Sequence, residues 1–251
     1  MDPLAQLSAL NQLPQVHVPQ HSVRQWRGLI RYRSHLVARR TQIKNRIRAL
    51  LDRQGEQHVK GRRGWTAAAI QVLRSMAKPL QEVGPDDLWR GELWLELQSL
   101  AASVDLVKQV EAKLDTLAAD QTSCRRLQTI PGVGPRLAEI VVAVLDKPDR
   151  FTSAKEVGSY VGLTPRQYQS GDSDRQGRIS GHGNNLLRTM LVEVSWIALR
   201  YNPTLKEVYE RARRGSPSRK KIAIVAAARR LLVWCWALLR DGTIWREPVM
   251  A

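Results

Sequence analysis

The sequence predicts an all-α, mainly helical fold in which long antiparallel coiled-coil arms precede a compact helical domain. That domain is expected to carry a helix-hairpin-helix and a small loop or hairpin insertion. Three observations point there. Leu, Ala, Val and Arg dominate, and Phe occurs once in 251 residues, which is the usage of a helical protein and not of a β-sandwich. Two long stretches repeat apolar residues at spacings of three and four, as helices with one buried face do. A third such stretch begins after the glycine-rich segment ending at Asn184.

The charge balance narrows the function. Forty Lys and Arg oppose 23 Asp and Glu, for a net charge of +17 and a pI near 10.7. Such an excess predicts a polyanionic partner, of which nucleic acid is the usual one. An anionic membrane surface would also attract it, but no uninterrupted run of about 18 apolar residues exists, so no bilayer span is expected. The N-terminus lacks a basic-then-apolar export pattern. Cys124 and Cys235 lie outside any CxxC or Cys/His cluster, which argues against a structural zinc and fits a reducing cytosol.

Residues 1–20 hold Pro3, Pro14 and Pro19 and read as an extended lead-in. Ser22 is the expected N-cap of a helix reaching about Asp52. Its seam runs through Val23, Trp26, Ile30, Val37, Ile43, Ile47 and Leu51, among others. A second helix is expected from about Asp86 to Ala119 on Leu93, Leu97, Leu100, Val104, Val107, Leu114 and Leu117. Residues 21–63 hold thirteen Lys/Arg against two acids, and residues 86–120 hold eight acids against three Lys/Arg. Opposite charges beside an apolar seam favour pairing of the two arms. Two ordinary solvated helices of a globular bundle are the alternative. Between the arms, one short helix with turns at Gly55, Gly61 and Gly84-Pro85 is expected. The composition changes after Asp120, so the expected domains are 1–20, 21–120 and 121–251.

In the last of these, "IPGVGPRLA" (130–138) runs into the apolar stretch Glu139–Leu145. An apolar residue, Gly-apolar-Gly and then a helix is the helix-hairpin-helix pattern. Glycine lets backbone N–H groups reach a phosphate where a Cβ would hold them away. Gly132, Val133, Gly134 and Arg136 are therefore candidate DNA-backbone contacts, and a plain Gly-Pro turn between core helices is the alternative. A short helix is expected over 154–162, stopped by Gly162 and Pro165. The segment "PRQYQSGDSDRQGRISGHGNNLLR" (165–188) follows. Within it, Arg166–Gln169 and Arg178–Ser180 are expected to pair around a Gly171–Gly177 turn. A helix from Asn184 to about Arg200 comes next, so the loop sits at a helix N-terminus where anions bind favourably. Arg166, Arg175, Arg178 and Arg188 surround it in sequence, and guanidinium forks suit phosphate oxygens. Residues 211–221 hold six basic residues and are a phosphate-contacting loop or a merely solvated one. A helix over Ile222–Arg240 closes the chain, and most tryptophans read as core or interface residues.

The segments "IPGVGPRLA", "SYVGLTPRQYQSG" and "GRISGHGNNLLR" resemble the C-terminal transposase domain of the IS-one-ten family, insertion-sequence recombinases guided by a bridge RNA. The likeness covers residues 125–240, and residues 20–120 resemble the family's coiled-coil region. The resemblance implies a serine that attacks a DNA phosphodiester and forms a phosphoserine intermediate. Ser170 is the best match, with Ser173 and Ser180 as rivals. A serine hydroxyl needs activation and a polarised phosphate. Arginines would polarise the phosphate; His182 would assist proton transfer if the fold brings it close, and otherwise touches phosphate or is solvated.

The family also has an N-terminal RuvC-like domain whose four acidic residues hold magnesium. Between Asp2 and Asp52 this sequence has no acid, so that domain is expected to be lacking. Asp172 and Asp174 fit a turn better than a magnesium site. No cofactor is expected on this chain, with magnesium implied only alongside the acidic domain. The expected partners are DNA, a guide RNA and further copies of the chain, as a dimer or tetramer through the arms. Two functions follow: a DNA transposase that cuts and rejoins strands through a serine, or a truncated, inactive nucleic-acid-binding module that associates with or inhibits a full-length transposase. A helix-hairpin-helix accessory protein would explain "PGVGP" but not the serine loop.

Overall fold

Long-range packing decides how these helices combine. The structure, a computed structural model, describes residues 16–170 and 173–247, with the side chains of 168–176 outside the description. The expected lead-in therefore falls outside it except at residues 16–20, which are non-helical.

Helix α1 (His21–Gln54) begins one residue before the expected cap. Gln20 occupies the N-cap position with no side-chain hydrogen bond, and Ser22 lies inside the first turn. The C-terminus closes at Gly55, whose φ of 69° is the left-handed conformation that glycine adopts without a Cβ penalty. A single helical turn and helix α2 (Ala67–Met76) follow, with Thr66 accepting from the Ala69 N–H as N-cap. Two more short turns lead to helix α3 (Leu88–Ala119).

Three ion pairs fix how α1 and α3 run. Arg33 meets Glu111, Arg46 meets Glu96 and Arg53 meets Glu92. The position on α3 falls as that on α1 rises, so the helices are antiparallel. The charge asymmetry of the two segments is used pair by pair, over a seam of Ile43, Ile47, Leu50, Leu93, Leu97 and Leu100. Trp65 closes the end of this layer, with Lys44 and Arg48 5.0 and 5.1 Å from its ring centre.

The second part contains α4 (Thr122–Leu127), α5 (Pro135–Leu145), α6 (Ala154–Val161), a two-stranded sheet of β1 (Pro165–Ser170) and β2 (Ser173–Ile179), then α7 (Asn185–Ala198), α8 (Pro203–Arg213) and α9 (Lys220–Asp241). The structure is mainly helical, as predicted. Its larger apolar cluster is centred on α5, α7 and α9 and also takes in Ile30, Leu114 and Ala118. The roots of both arms are thus part of the second core. Arg27 reinforces the join by donating to the carbonyls of Ala143 (2.6 Å) and Val144 (3.1 Å) at the α5 C-terminus, where a cation is favoured. His17 reaches Asp146 beside them at 2.7 Å.

By length and composition α9 could cross a membrane. Its run is broken by Arg229 and Arg230, and Ala223, Ala227, Leu231, Leu232 and Cys235 are completely buried in the domain core. Trp236 is buried and Trp26, Trp65, Trp89, Trp234 and Trp245 pack against the cores, while Trp196 is 43% exposed.

Candidate nucleic-acid interface

The first candidate element is the turn between α4 and α5. Val133 donates to the carbonyl of Ile130 at 3.0 Å, and Pro135 opens α5 at a position where its missing N–H costs nothing. Val133 is buried, so its side chain anchors the turn and leaves only its backbone for a ligand. Gly132 has φ +91°, and a Cβ there would stand 2.6 Å from the Cα of Ala198. The close approach it permits is therefore to α7 of the same chain. Gly134 differs, with φ −92° and nothing within 4 Å of a Cβ position. That open space lies at the N-terminus of α5, where unpaired N–H groups and the helix dipole favour an anion.

Arg136, on the first turn of α5, turns toward the arm. It pairs with Asp115 of α3 and with both oxygens of Glu139 at 3.1 Å. Glu139 is 1% exposed, and burial is the main reason its carboxyl is pushed up to about 7, against the opposing pull of Arg136 and Arg33. The guanidinium offers structural support to a buried acid here.

The second element is the hairpin. Register pairs Pro165 with Ile179, Gln167 with Gln176, Tyr168 with Arg175 and Ser170 with Ser173, with an irregularity at Arg166. Residues 173–177, expected in the turn, belong to β2. The strands are longer and the connection shorter than the polar sequence suggested, because cross-strand pairing stabilises residues that have no strand-like apolar alternation. Ser170 is the last residue of β1. The side chains of Ser170, Ser173 and Arg175 lie outside the described residues, as do Gly171 and Asp172 altogether.

The base of the hairpin is interlocked with α6. Gly162 (φ +77°) and Gly183 (φ +88°) each leave room for a carbonyl of the other segment: a Cβ on Gly162 would overlap the His182 oxygen, and one on Gly183 the Tyr160 oxygen. Arg188 bridges the same join, donating to the carbonyls of Val161 (3.0 Å) and His182 (3.2 Å). Arg166 folds back onto the Ser180 carbonyl at 3.2 and 3.3 Å. Asn184 caps α7 through the Leu187 N–H. Thus Arg166 and Arg188 brace the loop, Arg178 is exposed, and the His182 ring is exposed with its carbonyl used in the join.

Beside the hairpin base runs a groove of about 1130 Å³ between β2, α6 and α9. Arg178, Arg219, Lys221, Arg229 and Arg230 line it, and no carboxylate does among the described residues. Sequence reasoning singled out Arg178 and the basic loop but missed Arg229 and Arg230. The available signal was two adjacent arginines inside an otherwise apolar helix.

Among the described residues no three His, Cys, Asp or Glu side chains gather where a cation could be held. The resemblance implies magnesium only alongside the acidic domain, and no chemical step is routed through a metal here.

Residues 124–210, from α4 into α8, match the family described as Transposase IS116/IS110/IS902. A Pseudomonas aeruginosa protein described as "Probable family 20 transposase" is 29% identical over 92% of the chain and 68% of its own length. The Coxiella burnetii transposase for insertion sequence element IS1111A is 31% identical over 87% of the chain and 59% of its own length. A Moraxella lacunata pilin gene-inverting protein is 35% identical over 46% of the chain and 36% of its own. The chain thus spans 59 to 68% of the two transposases. The turn, the interlocked hairpin and its flanking helices all fall within the matched residues, and through them the chain is similar to the IS110-family transposases.

Proposed function

We propose that this chain binds insertion-sequence DNA and cleaves and rejoins its strands with Ser170 as the nucleophile. The observation that carries the reading is the coincidence of the matched residues with the hairpin that ends β1 at Ser170. The Ser170 Oγ would attack the scissile phosphorus, forming an O–P ester as the bond to the leaving sugar oxygen breaks. The hydroxyl proton passes to a nearby base or water, and the leaving oxygen takes up a proton. Attack by a second strand's hydroxyl on the phosphoserine reverses these steps and restores Ser170. The energy of the broken bond is conserved in the ester, so rejoining needs no external fuel. The α5 N-terminus at Gly134 and the exposed Arg178 would hold the backbone without reading sequence. A guide RNA, and a dimer or tetramer formed through α1 and α3, complete the proposal; the exposed arginines of α1, such as Arg24, Arg31 and Arg39, suit the former.

The test is a covalent-adduct assay on a denaturing gel, with labelled element-end DNA, magnesium and RNA transcribed from the element's flank. An adduct in the wild type and none in Ser170→Ala supports the reading. An adduct that survives Ser170→Ala moves the nucleophile elsewhere, with Ser173 and Ser180 next in line.

A second reading is a nucleic-acid-binding module that works with or against a longer transposase. It is favoured by Arg136, Arg166 and Arg188, whose guanidiniums all bond to the protein's own groups. A salt-sensitive gel shift with no adduct under any condition would select it.

A further inference from the structure

The groove beside the hairpin has two properties that a simple basic patch lacks. Its rim is cationic, and Arg178, Lys221, Arg229 and Arg230 have no ion-pair partner among the described residues. Its floor is aliphatic, formed by Leu163, Val225 and Val233, with Ile222 57% exposed. We propose that the groove is a channel for a single DNA strand leading away from the hairpin, an inference that rests on the hairpin acting on DNA.

The chemistry of the lining selects this occupant. A duplex keeps its base faces stacked inside and presents chiefly phosphates, sugars and base edges, so an aliphatic floor finds little apolar surface to contact. A single strand shows both, with phosphates for the rim and base faces for the floor, where apolar contact is favoured. Among the described residues lining the groove, the cations meet the charge of a polyanion with no acid to repel it. Arg229 is also pre-positioned: it lies over Gly158 of α6, whose Cβ would stand 3.0 Å from the arginine Nε. A side chain already laid against a helix loses less freedom on binding. Continuity supplies the last argument, since Pro165, Gly177, Arg178 and Ile179 of the hairpin form one wall. The five residue steps from Pro165 to Ser170 span about 16 Å of strand. The channel would thus hold DNA within a few nucleotides of the phosphate at Ser170.

The experiment measures fluorescence anisotropy of labelled twelve-residue oligothymidylate, oligouridylate and a twelve-base-pair DNA duplex against the full chain across a salt series. Lys221 and Arg230 are exposed, so Lys221→Ala/Arg230→Ala should fold normally. Thermal melting of this variant checks that it does. Ile222→Asp is the second variant; it adds a repelling charge to the floor without altering a buried residue. Both should weaken oligothymidylate binding by about tenfold or more while duplex binding falls less than threefold. The double variant should also reduce the log–log salt slope by about 1.4, two contacts at about 0.7 each. Equal losses for duplex and single strand would overturn the channel, and so would unchanged oligothymidylate binding. Tighter binding of oligouridylate than oligothymidylate would make the occupant RNA. If Ile222→Asp instead dissociates an oligomer in sedimentation, the groove seats a second copy, whose acidic α3 would be the candidate. Ser170→Ala should leave strand affinity intact, so loss of the adduct and loss of the channel are separable.

Discussion

Gly132 lies against Ala198: a Cβ on the glycine would come within 2.6 Å of both the Cα and the Cβ of the alanine. The turn before α5 is thereby docked on α7, and its glycine is needed twice, for φ +91° and for the approach. Gly132→Ala should cost at least about 2 kcal/mol, combining left-handed strain with a clash against backbone. Gly134→Ala, at φ −92° in open space, should change stability by less than about 0.5 kcal/mol. If the α5 N-terminus holds phosphate, the second variant alone should lose DNA affinity while its urea midpoint stays in place.

The buried Glu139 predicts a pH dependence. Its carboxyl is raised from the usual glutamate value to about 7, so the folded state holds the proton more tightly than the unfolded one. The associated stability is fully present below the unfolded value near 4.5 and is lost as pH rises through about 7. Its full extent is on the order of 3 kcal/mol. Glu139→Gln mimics the protonated form. It should match the wild type near pH 4.5, gain on it up to about pH 7 and then keep a constant advantage, as read by denaturation at each pH.

Removing the partner should act the other way. Arg136→Ala leaves Glu139 and Asp115 without their guanidinium, and breaking a buried pair from one side costs about 3 kcal/mol. The loss should be larger at pH 8 than at pH 5, where a protonated Glu139 tolerates isolation better. A melting-temperature series at the two pH values checks it.

Asn202 is 2% exposed, and its side-chain oxygen accepts from the Leu205 N–H to start α8. Asn202→Ala should cost about 1 kcal/mol, and Asn202→Asp should retain the cap. Chemical denaturation of the pair distinguishes a capping role from simple packing.

Cys124 and Cys235 are completely buried, and burial pushes both thiols up to about 12. Neither should react with iodoacetamide at pH 8 until the protein is unfolded, because the thiolate is the reactive species. Mass spectrometry before and after denaturant reads this directly.

The arms were legible because their information is local. Ile43, Ile47, Leu50, Leu93, Leu97 and Leu100 repeat at helical spacing, and the opposed charges of the two segments anticipated Arg33–Glu111 and Arg46–Glu96. The N-cap was misplaced at Ser22 because helix starts depend on packing as well as on capping chemistry. The hairpin was drawn too short because "QSGDSDRQG" reads as turn residues until its cross-strand partner is present. In the glycines, sequence marked the positions where backbone must come close but not what comes close. At Gly132, Gly162 and Gly183 it is the chain itself.

Periodicity, charge and motif by themselves determined that this protein is helical, that two long, oppositely charged helical segments precede a glycine-containing basic stretch, and that this stretch resembles a transposase. Each of these is written in residues a few positions apart. Only the tertiary structure decided that Arg136 serves Glu139, that Arg188 braces the Gly162–Gly183 join, and that Arg178 and Arg230 share one groove. Those pairings link residues that no helical or strand period connects. They follow from which apolar faces the folded chain buries together.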